Sequence, residues 1–152
     1  MHTALIMFEP GNLLYFNPFI FPDGGEPKPK FFVVLGEMDE TVLLASLPTS
    51  KDHIPSDVEV KSGCLEIPER MVNAYIFMEK EVVTNNGFFF DKNTFIYGQN
   101  IKAFSTVAFE EQKIAGETVI KLEGKLKDEV FTALKDCLKN SDSVRKRFKK
   151  YL

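Results

Sequence analysis

Short apolar runs separated by turn residues fill the first two thirds of the chain, a rhythm that predicts many short strands and few long helices. Residues 13–17, 31–35 and 41–47 are the clearest runs. Between the first two, residues 22–29 read Pro-Asp-Gly-Gly-Glu-Pro-Lys-Pro. Asp-Gly and Gly-Gly suit turns and proline cannot donate to a ladder, so this segment is expected to be an exposed loop. The run 31–35, Phe-Phe-Val-Val-Leu, is continuously apolar and predicts a strand buried on both faces. Residues 74–77, 81–84, 88–90, 94–97 and 101–109 continue the rhythm, with Asn85-Asn86-Gly87 and Asp91-Lys92-Asn93 as turns, so hairpins are expected there. Short, closely spaced strands can remove their free edges by curling up, and a small barrel is expected in preference to an open sheet.

Beyond Gly124 the period changes. Leu126, Val130, Leu134 and Leu138 recur every four residues and Phe131 and Cys137 widen the stripe, while Lys127, Asp128, Lys135, Asp136 and Lys139 take the other face. This pattern predicts an amphipathic helix over 127–140 with a buried stripe. Asp128 and Glu129 in its first turn suit the helix dipole, and Asn140-Ser141-Asp142 is a stop signal. Residues 143–152 are expected to form a second, frayed, basic helix, so that 125–152 is a helical tail. No repeat or linker marks a boundary, and residues 1–152 are expected to form a single domain.

Composition narrows the picture only slightly. The 152 residues are 44% hydrophobic and 27% charged, ordinary values for a chain able to bury one core. Fifteen Phe and no Trp place many large apolar rings in a core or a partner interface. The net charge of −3 creates no basic field, so contact with nucleic acid would need a local patch. Arg145, Lys146, Arg147, Lys149 and Lys150 make one such patch. Cys64 and Cys137 have neither a CxxC arrangement nor a histidine at ligand spacing, which argues against a structural zinc site. The start of the chain lacks a basic region followed by a long apolar one, and no stretch reaches the roughly 18 apolar residues of a membrane span. The expected location is cytoplasmic, without membrane contact. P-loop, GxGxxG, GxSxG and HExxH signatures are missing, and no cofactor or metal is expected. His53 sits in a polar loop, and the acidic residues form no evident pair.

The order of residues from Glu9 onward carries more. Glu9-Pro10-Gly11-Asn12 opens a strand, the Gly/Pro loop follows, then Lys28-Pro29-Lys30-Phe31 leads into the buried run, and Ala45-Ser46-Leu47-Pro48-Thr49-Ser50 ends a strand. Ile54-Pro55-Ser56-Asp57-Val58-Glu59-Val60, Gln99-Asn100-Ile101-Lys102 and Gly124-Lys125-Leu126 come later. In this order the chain resembles the PemK-like toxin family, which includes the MazF and Kid endoribonucleases. The resemblance implies a small SH3-like, PemK-type β-barrel with a C-terminal helix, and residues 61–98, longer than the corresponding stretch of that family, are expected to hold an inserted hairpin. It also implies a toxin of a type II toxin–antitoxin system that cleaves single-stranded RNA without a metal, acts as a homodimer and is bound by an antitoxin protein. Lys30, Thr49 and Ser50 would be the catalytic residues, with Lys28, Lys51, His53 and Gln99 contacting RNA. The family places Arg-Pro where this chain has Lys30-Phe31, and lysine lacks the planar fork of arginine. Loss of one positioned electrostatic donor costs ~10²–10³ in rate. A second reading is therefore a catalytically inactive PemK-like interaction module, in which Phe31 and the long 61–98 segment replace the groove.

Overall fold

A computed structural model describes residues 7–152. Among the described residues the strands form two separate antiparallel sheets. The larger contains β1 (Asn12–Phe19), β2 (Lys28–Met38), β3 (Thr41–Ser46), β7 (Ile101–Ser105) and β8 (Val119–Lys125), in the order β7-β3-β2-β1-β8. The smaller contains β4 (Gly63–Ile67), β5 (Val72–Phe77) and β6 (Thr94–Tyr97), in the order β4-β5-β6. The helices are α1 (Thr106–Ile114), α2 (Asp128–Lys139) and the single turn α3 (Lys146–Lys149).

This is a mixed α/β fold, and it corrects the expected SH3-like β-barrel. Closure requires the first and last strands of a sheet to pair, yet β7 and β8 stand at opposite ends of one sheet and β4 and β6 at the ends of the other. After β3 the chain leaves the first sheet, builds the second, and returns through a 3-10 turn at Gly98–Asn100 to add β7 at the edge. The PemK-like resemblance implied a closed barrel, and the open sheets disfavour it.

Core packing explains the layers. Strand β2 lies between β1 and β3, with Phe32, Val33, Val34 and Leu35 all buried, as the continuous apolar run predicted. Val33 and Leu35 join Leu43 and Ala45 against Tyr75, Phe77 and Ile96 of the second sheet and Leu134 and Leu138 of α2. Phe32 and Val34 join Leu14, Phe16 and Leu44 against Phe109 of α1 on the other side. A third cluster, with Ile76, Phe95 and Tyr97, is covered by Ile54, Val58 and Val60 of the long loop after β3.

Local chemistry sets the element ends. The run 101–109 was expected to be one strand, but Ser105 Oγ accepts from Ala108 N at 3.2 Å and caps α1 at that point. A satisfied cap outweighed the β preference of Thr106 and Val107. The runs 81–84 and 88–90 contribute only isolated bridges, Val82 to Phe89 and Thr84 to Leu126. The predicted helix over 127–140 is observed as α2, with Leu126, Leu134 and Leu138 buried and Val130 half-buried. The basic tail forms one short turn, anchored by buried Val144 and Phe148. Gly36 leaves the space that Tyr151 occupies, since a Cβ there would lie 2.7 Å from the Tyr151 carbonyl oxygen.

Cys64 of β4 and Cys137 of α2 form a disulfide with a Cα–Cα distance of 5.6 Å across 73 residues of sequence. Buried Asn73 braces the same junction, its Nδ2 donating to Glu66 Oε1 at 2.8 Å and to the Cys137 carbonyl at 3.3 Å. Disulfides persist mainly in oxidising compartments, a constraint that the cytoplasmic expectation did not include. No described helix is long and apolar enough to cross a membrane.

Two stability measurements test this packing. Leu134→Ala removes a fully buried side chain between α2 and the sheets, and chemical denaturation should show a loss of about 2–5 kcal/mol. The Cys64→Ser, Cys137→Ser double variant releases a long loop in the unfolded chain and should lose about 2–4 kcal/mol in the same assay.

Candidate functional site

Strand alternation places Lys30 and Phe32 on one face of β2, and Lys102 and Phe104 on the same face of β7. Phe21 leaves the end of β1 and folds back toward them, stacked edge-on against Phe19 at 5.0 Å. Together with Ser46, these side chains line a cleft of about 470 Å³. The ammonium of Lys30 lies 5.3 Å from the Phe21 ring centre and 5.7 Å from that of Phe32, while Lys28 approaches Phe21 at 5.8 Å. Asp23 also borders the cleft, with Oδ1 accepting from Gly25 N at 2.9 Å.

Positive charge predominates at the cleft, where Lys30 and Lys102 face the single carboxylate of Asp23. Burial, then the neighbouring Lys28 and Lys102 charges, push the Lys30 pKa below the ordinary lysine value. Among the described residues none of these three lysines forms an ion pair, whereas Lys80, Lys121 and Lys125 each do. Lys28 and Lys30 thus lie over aromatic faces and Lys102 shares the cleft with Lys30, while Asp23, the carboxylate on its border, pairs with none of the three.

Lys102 and Ala103 also border a second cavity of about 470 Å³ on the other side of β7, with Gln99, Arg145, Arg147, Lys150 and Tyr151. The buried anchors Val144 and Phe148 orient this segment so that its cations line the cavity. Arg147 lies 4.9 Å from the Phe148 ring centre and Lys150 5.9 Å from that of Tyr151.

The residues singled out from sequence divide among these surfaces. Lys28, Lys30, Thr49 and Ser50 border one shallow depression, with Thr49 and Ser50 exposed. The Ser50 carbonyl accepts from the Tyr97 hydroxyl at 2.6 Å, and the His53 ring packs edge-on against Tyr97 at 4.8 Å. Lys51 is exposed on the same loop. Gln99 lies apart from them, in the cavity beside the basic tail. Sequence reasoning did not single out Phe21, Lys102 or Phe104 for the site. The signal for Lys102 and Phe104 was the repeated Lys-x-Phe of Lys30-Phe31-Phe32 and Lys102-Ala103-Phe104, which strand alternation places on one face of each strand.

The metal-independent ribonuclease reading is corrected here, together with its inactive PemK-like variant. Both depended on a PemK-type barrel, which the two open sheets do not form. Lys28 and Lys30 are the titratable side chains that border the depression holding Thr49 and Ser50. Among the described residues no three His, Cys, Asp or Glu side chains gather as metal ligands. The homodimer and the antitoxin lose the resemblance that implied them. The chain matches no family model, and no curated protein matches it significantly.

The lowered Lys30 pKa has a pH signature. Below its folded-state pKa the charge is retained in both states, and the penalty for holding it half-buried is fully present. As pH rises from there toward the ordinary lysine value of 10.5, the unfolded chain binds more protons than the folded one, so stability increases. Thermal unfolding across the alkaline range should show wild type gaining stability relative to Lys30→Met, which keeps the stem and drops the charge. Parallel pH profiles would remove the effect.

Proposed function

We propose that the protein is a binding module for single-stranded nucleic acid, with Lys28, Lys30, Lys102, Phe21 and Phe104 as its contact surface. One observation carries this reading: Lys30 and Lys102 line one open cleft with the rings of Phe21 and Phe104, Lys28 lies against Phe21 beside them, and none of the three lysines is ion-paired among the described residues. A phosphate backbone supplies the missing negative charge, and unstacked bases supply flat partners for the rings. Paired bases in a duplex cannot offer their faces to such rings, which selects single strands. The cleft volume lies within the range of small-ligand sites, enough for a base and its sugar–phosphate. Binding is local, since the chain as a whole carries a net charge of −3. Lys51, His53, Thr49 and Ser50 would border the path of the strand beyond the cleft.

Fluorescence anisotropy with a labelled single-stranded RNA or DNA oligomer tests the proposal. Affinity should fall with salt at a slope of about −0.7 per phosphate contacted. Lys102→Ala should make that slope shallower by roughly the same increment. Phe21→Ala should lose ~1–3 kcal/mol of binding with the slope unchanged, because it removes stacking and no charge. Failure of folded protein to bind any single-stranded oligomer at low salt would defeat the reading.

A further inference from the structure

The cavity beyond β7 concentrates more charge than an internal phosphate can balance. We propose that it recognises a terminal phosphomonoester, so that the module holds the phosphorylated end of a strand; this rests on the nucleic-acid reading above. Lys102, Arg145, Arg147 and Lys150 border one space of about 470 Å³, and none of the four is ion-paired among the described residues. An internal phosphodiester brings one negative charge and two free oxygens. A terminal monoester brings close to two charges near neutral pH and three acceptor oxygens. Two guanidinium groups match such a group well, because each presents a planar fork of donors.

The edge of the sheet adds a donor that belongs to no side chain. Thr106 N donates to Glu40 O at 2.9 Å, continuing the β3–β7 register in which Phe104 faces Val42 and Lys102 faces Leu44. In an antiparallel ladder alternate residues turn their backbone groups to the partner strand. The backbone groups of Lys102 and Phe104 therefore point to β3, and the N–H of Ala103 points off the open edge. Ala103 borders both cavities. A strand end stacked against Phe21 and Phe104 can thus turn over β7 at Lys102 and Ala103 and place its last phosphate among the arginines.

Three oligomers of one sequence decide the matter: one with a 5′-phosphate, one with a 3′-phosphate and one with hydroxyls at both ends, each labelled at an internal base. One phosphorylated form should bind on the order of tenfold more tightly than the unphosphorylated strand, and which one does so assigns the polarity. In the Arg145→Gln, Arg147→Gln double variant and in Lys150→Gln, the ratio of phosphorylated to unphosphorylated affinity should fall toward one. These side chains are exposed, and circular dichroism verifies that the variants remain folded. Equal binding of all three oligomers overturns the terminal-phosphate site and leaves the binding module standing. A preference that persists in both variants overturns the assignment to this cavity. Absence of binding by any oligomer overturns both proposals.

Discussion

Along residues 32–35 the central strand β2 meets packed side chains on both faces, so its hydrogen bonds and its apolar groups leave water together. A strand of that kind needs a layer above and a layer below. The second sheet and α2 provide one, and α1 provides the other. In a small closed barrel the outer face of a strand commonly looks to solvent, and the run Phe-Phe-Val-Val-Leu would have exposed half its members. The double-sided burial of β2 is thus the physical reason that the sheets are layered and open.

The same strand ties the core to the cleft. Its first residues, Lys28 and Lys30, lie before the packed region, and their ammonium groups sit over phenylalanine faces. The phenylalanine surplus therefore has two uses. Rings such as Phe16, Phe77 and Phe95 fill the interior, whereas Phe21 and Phe104 are only partly covered and give the cleft its walls. The tail reaches the same strand from the opposite face through the contact of Tyr151 with Gly36. Both cavities consequently depend on how β2 is held.

Much of the strand and helix content was legible, because period and length are local properties. The turn at 22–29, strands β1, β2, β3 and β6, and the stripe of α2 could all be read along the chain. Closure was not legible, since it depends on which edges meet across long separations. The same limit hid the pairing of Cys64 with Cys137 and the meeting of Lys30 with Lys102. Local rules also competed at Ser105, where a residue acceptable in a strand acts as a helix cap. For the site, Lys28, Lys30, Thr49 and Ser50 do share a depression, while Gln99 belongs to a different cavity, which no spacing along the chain could have revealed.

The bond between β4 and α2 also turns the middle of the chain into a covalent ring. Residues 85–87, 91 and 92, on the turns between β5 and β6, are exposed and lie within that ring. A protease that cuts once there opens the ring without separating the two pieces. Under non-reducing conditions the nicked protein keeps its full mass, with both cavities and the end of α2 still joined to the rest. Damage at those turns becomes visible as two fragments only when a thiol is added.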